Sequence, residues 1–231
     1  ISIPLASIVS FFYLYFFFDV WTIIKYKEHI NISKIFSLFI LIYISFKITR
    51  YSSFGNDAVA HLSYFYLISC ILKNNLREIN FSKILLISVF IFINKPMLGL
   101  VFLIPSTIFL IKNNFKFIKI FNSIFSLPIL LLSIWLIKNI VISGCAIFPI
   151  KSSCIEKLPW TNIQQIKSSQ TEGQAWSKGW PDRLNKKISM KEFNKDFNWV
   201  GAWEKKHMKY ILNIITPYIV ILLLIIIFIK N

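Results

Sequence analysis

Long apolar stretches alternate with short polar connectors along most of this chain. A helix needs about 20 apolar residues to cross the roughly 30 Å of hydrocarbon in a bilayer. Seven stretches approach or reach that length and are candidate spans: Ala6 to Ile24, Ile35 to Thr49, Ala58 to Leu72, Ile84 to Ile93, Met97 to Ile111, Ile118 to Ile137 and Ile211 to Ile229. The pattern predicts an all-α fold: a polytopic transmembrane helix bundle of about seven spans, with a small outer cap between the last two.

The basic residues between these stretches predict how the bundle is oriented, because short basic connectors stay in the cytoplasm. Three connectors are basic, and they contain Lys25, Lys27 and Lys34, then Lys73, Arg77 and Lys83, then Lys112, Lys116 and Lys119. Seven crossings put all three on one side of the membrane, together with Lys230. The long polar stretch from Ser143 to Lys209 then lies on the outer side.

The fourth stretch, Ile84 to Ile93, is short enough to be an interfacial or re-entrant segment instead of a full crossing. In that case every later connector changes side, and the segment from Lys112 to Lys119 lies outside, against the charge rule. Seven crossings are therefore the favoured number.

Composition supports a membrane location and argues against nucleic acid. Of the 231 residues 56% are hydrophobic, and the mean hydropathy is +0.63. A net charge of +16 would suggest a nucleic-acid partner in a soluble protein, but here the basic residues cluster in connectors between apolar stretches. We expect the lipid bilayer as partner, with residues 1–142 as the bundle, 143–209 as the outer cap and 210–231 as a C-terminal transmembrane helix.

The chain begins with Ile1 and enters an apolar stretch almost at once. Two expectations follow, either that earlier helices are missing or that a signal peptide has been cleaved.

The outer polar stretch is rich in tryptophan and predicts a small folded cap. Short helices are expected around Thr161 to Ser168 and Ser189 to Lys209. Trp160 and Trp176 are candidate substrate-binding residues, since aromatic rings stack on sugars, whereas the alternative role for tryptophan here is anchoring at the headgroup level. Both interpretations stay open at this point.

Two cysteines on the predicted outer side, Cys145 and Cys154, are candidates for a disulfide. An oxidising periplasm permits such a bond, and it would fix the loop that contains Pro149. A metal site is not expected there, because the segment has neither CxxC spacing nor paired histidines. Cys70 lies inside a span and is expected to be a small buried side chain.

Asp57 is the acidic residue of the short outer turns, and it directly precedes a span. His61 follows four residues later and shares its helix face if a helix begins near Asp57, so the carboxylate would orient the imidazole. These two residues are the candidate catalytic pair. The alternative is that Asp57 caps the helix and His61 faces the bundle.

Four basic residues are expected near the outer boundary: Arg50, Lys95, Lys138 and Lys151. Each could reach the headgroups by snorkelling, whereas convergence of several of them near Asp57 would make a phosphate site. They are the candidate substrate-binding cations.

The sequence lacks the P-loop, GxGxxG, GxSxG, HExxH and haem-attachment motifs. This argues against an ATP-driven pump subunit, a nucleotide-cofactor enzyme and a zinc protease. Lipid-linked chemistry, transport and a structural role remain.

Two segments resemble the bacterial GT-C glycosyltransferases, in an uncharacterised branch related to the dolichyl-phosphate-mannose mannosyltransferases. The first is Gly55-Asn56-Asp57-Ala58-Val59-Ala60-His61-Leu62, which is similar to a motif of the form D-x-x-x-Y-H-L, with Ala60 in place of the tyrosine. The second runs from Asn139 to Pro149 and is similar to N-x-x-x-S-G-x-x-x-x-P, a motif with an expected structural role. Together they cover under a third of the chain.

The resemblance implies a polytopic enzyme of the bacterial inner membrane, with its cap on the periplasmic side, that transfers a sugar from a polyprenyl-phosphate donor in surface polysaccharide or lipid glycosylation. It would make Asp57 the catalytic acid, or the ligand of a divalent cation, with Glu156 or Glu172 as the candidate second acid. The alternatives are a transporter or flippase of a lipid-linked substrate and a non-catalytic membrane scaffold. Charge-free span interiors favour interfacial chemistry over transport.

Overall fold

The computed structural model describes residues 3–26, 31–53, 57–76, 78–112, 126–180, 189–213, 215–216 and 219–220. Helices dominate these ranges, where β-structure is limited to one isolated antiparallel bridge between Cys145 and Cys154. The predicted all-α class is confirmed. The chain divides into two compact units, Ile1–Leu136 and Ile137–Asn231, with the division inside a helix.

Unit 1 is built from successive apolar helices. They are α1 (Ile3–Tyr26), α2 (Ile32–Ser53), α3 (Asp57–Lys73), α4 (Phe81–Asn94), α5 (Leu103–Lys112) and the first part of α6 (Ser126–Ser143), with a 3₁₀-helix over Pro96–Phe102 that leads into α5. Asn80 caps α4, since its side chain accepts the backbone N–H of Lys83 at 3.1 Å. The helix ends at Asn94, two residues before Pro96, which has no N–H to continue it.

Two described helices are long and apolar enough to cross a membrane, Leu5–Ile23 within α1 and Ser126–Ser143. Phe81–Asn94 and Pro96–Lys112 are apolar but shorter. The prediction of about seven spans was therefore too high by this criterion for the described residues.

Two of the other expected spans have counterparts among the described helices. α3 has 17 residues, close to the expected Ala58 to Leu72 and at the lower limit of length for a crossing. α6 covers part of the expected Ile118 to Ile137, from Ser126, and continues to Ser143, while residues 113–125 lie outside the described ranges. The span expected over Ile211 to Ile229 lies mostly outside them as well.

The core of unit 1 consists of two clusters joined through α3. The first contains Phe12, Phe16, Ile40, Ile44, Ala58 and Leu62, from α1, α2 and α3. The second contains Leu67, Cys70, Ile79, Ile84, Ile91, Val101 and Ile108, from α3, α4 and α5 and the turns beside them. Since α3 supplies side chains to both clusters, it lies between the other helices. Packing in the two clusters holds both ends of α3 in place.

Side-chain contacts show that neighbouring helices of unit 1 run in opposite directions. Ser37, early in α2, donates to the carboxylate of Asp19, late in α1. Lys112, at the end of α5, donates to the carbonyl of Ile79, just before α4. Lys95, just after α4, reaches the first residue of α3. The bundle therefore has two ends: the basic end, formed around Asp19, Ser37, Lys73, Lys83 and Lys112, and the Asp57 end, formed around Asp57, His61 and Lys95.

Unit 2 contains shorter helices: α7 (Ile163–Ser177), α8 (Met190–Asn194), α9 (Val200–Trp203) and one π-helical turn over Glu204–Met208. α7 is longer than the expected Thr161 to Ser168, and Asn162 caps it by accepting the backbone N–H of Gln165 at 3.0 Å. The helix expected over Ser189 to Lys209 is broken after Asn194. Asp196 in that break has a positive φ of 51°, which a continuous helix does not permit.

Candidate functional site

Asp57 is the first residue of α3, where an acidic side chain suits the positive end of the helix dipole. Ala58 and Leu62 are completely buried, and they turn the opposite face of the helix into the core. His61 lies one turn after Asp57 on the same face, as the spacing predicts. The Asp57 side chain is 35% exposed, so it remains accessible at the end of the bundle.

Lys95 brings its ammonium group to both of these residues. Its Nζ lies 2.8 Å from Oδ1 of Asp57 and 3.2 Å from Nε2 of His61. The backbone of Lys95 is extended (φ −147°, ψ 87°), as is usual before a proline, so the side chain leaves the line of α4 and turns toward α3. The carboxylate and the imidazole are thus linked through Lys95, one of the cations predicted either to bind substrate phosphate or to reach the headgroups.

The arrangement combines a base, a cation and an imidazole. Because a lysine ammonium has only donors, Nε2 of His61 accepts from it, and the neutral ring then carries its proton on Nδ1. The carboxylate can accept a proton from a hydroxyl group, and the ammonium can bind a phosphate oxygen. A divalent cation on Asp57 does not fit this arrangement, since the Lys95 ammonium already lies against the carboxylate and would repel it.

The other three candidate cations are described apart from this cluster, since none of them is a described side chain of unit 1. Arg50 lies near the end of α2, and its side chain is outside what the structure describes. Lys138 and Lys151 belong to unit 2 and are described within that unit. Lys138 is exposed on α6, and Lys151 forms an ion pair with Glu156 at 3.5 Å in which both side chains are largely exposed.

The candidate tryptophans also belong to unit 2, and each has about half of its surface exposed. Trp160 donates from its indole nitrogen to the carbonyl of Ile140 at 3.1 Å. Trp176, on α7, has the ammonium of Lys206 at 5.8 Å from its ring centroid. Both rings keep free surface that a ligand or a lipid headgroup could cover.

The segment that follows α6 is a cross-linked loop in which Cys145 and Cys154 form a disulfide. The bond links the two residues of the isolated antiparallel bridge, beside which the backbone N–H of Ile155 donates to the carbonyl of Gly144 at 2.8 Å. Gly144 has a positive φ of 76°, and a Cβ there would lie 1.8 Å from Oγ1 of Thr161, so only glycine fits.

The pattern from Asn139 to Pro149 has a local structural explanation in this loop. The side chain of Asn139 donates to the carbonyl of Ala146 at 3.1 Å, and Oγ of Ser143 accepts the backbone N–H of Cys145 at 3.2 Å. The bond between Phe148 and Pro149 is cis. These contacts end α6 and shape the loop, which agrees with the structural role that the motif was expected to have.

A second ionic cluster, at the basic end, was missed by the sequence analysis. Lys73 at the end of α3 pairs with Asp19 of α1 at 2.8 Å and donates to the hydroxyl of Tyr15 at 2.9 Å. Ser37 of α2 donates to the same carboxylate. The available signal was Asp19 itself, because an acid within an apolar stretch implies a partner inside the protein.

Hydrogen bonds raise the pKa values of Lys73 and Lys83, which lie at the basic end just outside the expected spans. Burial lowers the pKa of Lys73, but hydrogen bonds to Asp19 and Tyr15 outweigh that effect and leave the pKa above its ordinary value. A hydrogen bond to Tyr66 is the main cause of the raised pKa of Lys83. Both ammonium groups are therefore charged at neutral pH.

The fold and the site define the class of protein. The described residues form an all-helical protein with strongly apolar helices and an ionic cluster at each end of unit 1. The chain belongs to the family described as "Domain of unknown function (DUF8201)", whose model matches residues 3–231. Comparison with curated proteins gives no match. Comparison with solved structures gives none either.

Proposed function

We propose that this protein is a multi-pass membrane transferase that moves a sugar from a polyprenyl-phosphate donor, like the GT-C glycosyltransferases that its motifs resemble. The observation that carries the proposal is the meeting of Asp57, His61 and Lys95 at one end of a bundle of apolar helices. A carboxylate beside an ammonium offers the two groups that this chemistry needs, a proton acceptor and a phosphate ligand.

The outer surface of unit 1 supports a membrane location. Large apolar side chains are exposed on several helices, among them Phe11 (62%), Leu100 (78%) and Leu130 (55%). An exposed apolar surface of this kind marks contact with lipid or with another protein. We propose that the helices of unit 1 are embedded in a bacterial inner membrane and that the C-terminal stretch completes about seven spans.

The distribution of charge supports one orientation in that membrane. Lys73, Lys83 and Lys112 lie at the basic end, and the positive-inside rule puts such an end in the cytoplasm. The Asp57 end is then at the periplasmic face, where lipid-linked sugars serve as donors in the enzymes that the motifs resemble.

In the proposed reaction, Asp57 takes the proton of an acceptor hydroxyl while that oxygen attacks the anomeric carbon of the donor sugar. The bond between the anomeric carbon and the phosphate oxygen breaks, and the polyprenyl phosphate leaves with the bonding electrons. Lys95 contacts Oδ1 of Asp57, so Oδ2 is the oxygen that we propose takes the proton. The ammonium stabilises the charge on the departing phosphate, while His61 helps to position the ammonium.

Unit 2 supplies candidates for sugar binding. The half-exposed rings of Trp160 and Trp176 are suited to stack on a pyranose, and the alternative role of headgroup anchoring uses the same exposed surface. We keep Arg50, Lys138 and Lys151 as proposed phosphate or headgroup ligands on the basis of charge alone.

The test compares two isosteric substitutions in Lys–Asp pairs at opposite ends of unit 1, Asp57→Asn and Asp19→Asn. Each protein is reconstituted in liposomes that contain radiolabelled polyprenyl-phosphate mannose and a bacterial lipid extract as acceptor, and label in product lipid is measured per folded protein. We expect Asp57→Asn to lower the rate about a hundredfold or more, since loss of a general base costs that much. Asp19→Asn should leave the rate per folded molecule within about threefold of the unsubstituted chain, because Asp19 only pairs with structural groups.

Other outcomes would favour a different function. Full transfer by Asp57→Asn excludes Asp57 as the base. Movement of the labelled lipid to the opposite leaflet without chemical change would indicate a flippase, and neither transfer nor movement with several lipid-linked sugars would favour a scaffold.

A further inference from the structure

Two tyrosine rings and two lysines form a compact cluster at the basic end. The rings of Tyr15 (α1) and Tyr66 (α3) meet edge to face, with centroids 4.9 Å apart. Lys73 lies over the Tyr15 ring at 4.5 Å, and Lys83 of α4 lies over the Tyr66 ring at 5.1 Å. Three helices therefore hold two ammonium groups against one pair of rings.

The cluster carries more positive than negative charge among the described residues. Asp19 pairs with Lys73. The recorded partner of Lys83 is the neutral Tyr66 hydroxyl, so a carboxylate does not offset its charge there. The ammonium of Lys112 lies nearby in the fold, bonded to the carbonyl of Ile79.

Donor hydrogens remain for a ligand. A lysine ammonium has three N–H donors. In the described part of the chain, Asp19 and Tyr15 accept two of the N–H donors of Lys73. Tyr66 accepts one N–H donor of Lys83. This leaves donors on both lysines for the oxygens of one anion.

The surroundings suit a ligand that has an apolar part as well as an anionic one. Leu72 and Leu76, on either side of Lys73 in the sequence, are 41% and 38% exposed, and Trp21 near the end of α1 is 43% exposed. Basic pockets between membrane helices bind anionic headgroups while the acyl chains cover the neighbouring apolar surface. A free anion would gain nothing from these side chains.

We propose that Lys73 and Lys83, held over the paired rings of Tyr15 and Tyr66, form a binding site for the phosphate of an anionic phospholipid at the basic end of unit 1. The site is separate from the Asp57 cluster and has no role in the transfer chemistry. It rests on the proposed membrane location, and not on the proposed reaction. Bound lipid would tie α1, α3 and α4 together at this end.

The experiment measures retention of phosphatidylglycerol by native mass spectrometry, with the full chain in a neutral detergent that has no surface potential of its own. Lys83→Gln is compared with Lys25→Gln, which removes the same charge near the end of α1, where the ammonium lies over the ring of Tyr26. We expect Lys83→Gln to weaken binding about tenfold, as the loss of a charged hydrogen bond does. Lys25→Gln should change it by less than about twofold.

Three results would overturn the proposal. Equal loss in both variants would indicate general attraction to a basic surface. Saturable binding of inorganic phosphate with similar affinity would indicate a site for free anions. An unchanged affinity in Lys83→Gln would exclude that lysine from the site. Independently of that variant, Tyr66→Phe removes the hydroxyl partner of Lys83 and is expected to weaken binding about threefold.

Failure of this proposal and failure of the proposed function are distinguishable. A chain that is released from membranes by alkaline carbonate is not an integral membrane protein, which removes the basis of both. A chain that stays in the membrane and binds phosphatidylglycerol, yet shows no transfer, loses only the enzymatic proposal.

Discussion

The two ends of unit 1 carry the same ion pair in different surroundings. Lys95 meets Asp57 at 2.8 Å, and Lys73 meets Asp19 at 2.8 Å. The side chain of Asp57 is 35% exposed, while that of Asp19 is 13% exposed. Distance alone therefore cannot separate a group that holds helices together from a group that is free to react.

The partners of each pair show the difference more clearly. Asp19 accepts from both Lys73 and Ser37, so it connects α1, α2 and α3. Lys95 divides its donors between Asp57 and His61, which lie on one helix. The first pair is a joint between three helices, whereas the second ties a single loop residue to one helix end and can open without loss of the packing.

The largest effect is expected from Asp19→Asn measured as stability. The change removes the carboxylate between three helices and leaves the Lys73 ammonium without its partner, so we expect the free energy of unfolding in mild detergent to fall by about 2 kcal/mol. Solvent reaches Lys73, which keeps the loss below that of a fully buried pair. Chemical denaturation followed by circular dichroism measures it, and a loss under about 0.5 kcal/mol would contradict the role of this pair as a joint.

A smaller effect is expected from Ser37→Ala. Ser37 is completely buried, and its one hydroxyl hydrogen is shared between the Asp19 carboxylate and the carbonyl of Ser33, so its loss should cost about 1 kcal/mol. Ser45→Ala is a matched control in the same helix, because the Ser45 hydroxyl bonds only to the carbonyl one turn earlier and is exposed. Equal losses in the two variants would show that the bond to Asp19 contributes nothing.

The smallest effect on stability is expected from Asp57→Asn. A partly exposed ion pair contributes about 0 to 1 kcal/mol, so the midpoint of denaturation should hardly move while sugar transfer is lost. A drop in stability as large as that of Asp19→Asn would show that both ion pairs contribute equally to the free energy of unfolding. In that case the loss of transfer could not be assigned to the chemistry of Asp57.

The helical fold could be predicted because it depends on local signals. Apolar stretches indicated where α4 lies, and the expected Ile84 to Ile93 falls inside Phe81–Asn94. The number of spans could not be predicted in the same way. Hydropathy marks where a chain avoids water, but it does not give the length of each helix: the expected Met97 to Ile111 is divided between a 3₁₀-helix over Pro96–Phe102 and α5.

The residues of the candidate site could be predicted from the sequence, but the contacts between them could not. Helical spacing put Asp57 and His61 on one face, since that relation is local. The position of Lys95 between them depends on α4 packing against α3 and on the extended backbone before Pro96, neither of which the sequence around Asp57 contains. Asp19 and Lys73 are also far apart in the sequence, and they meet only because α1 packs against α3. The same packing brings the hydroxyl groups of Tyr15 and Ser69, which are 54 residues apart, to 3.4 Å from each other.

The 3₁₀-helix over Pro96–Phe102 affects the length that the segment before Lys112 can cover with few residues. A 3₁₀-helix rises about 2.0 Å per residue and an α-helix about 1.5 Å, so Pro96–Lys112 covers about 29 Å along its path, which turns at a kink at Leu98. An α-helix would need about 19 residues for a path of that length. Tighter winding therefore gives this segment a path close to the thickness of the hydrocarbon layer, although it has fewer residues than the roughly 20 that an α-helical span needs.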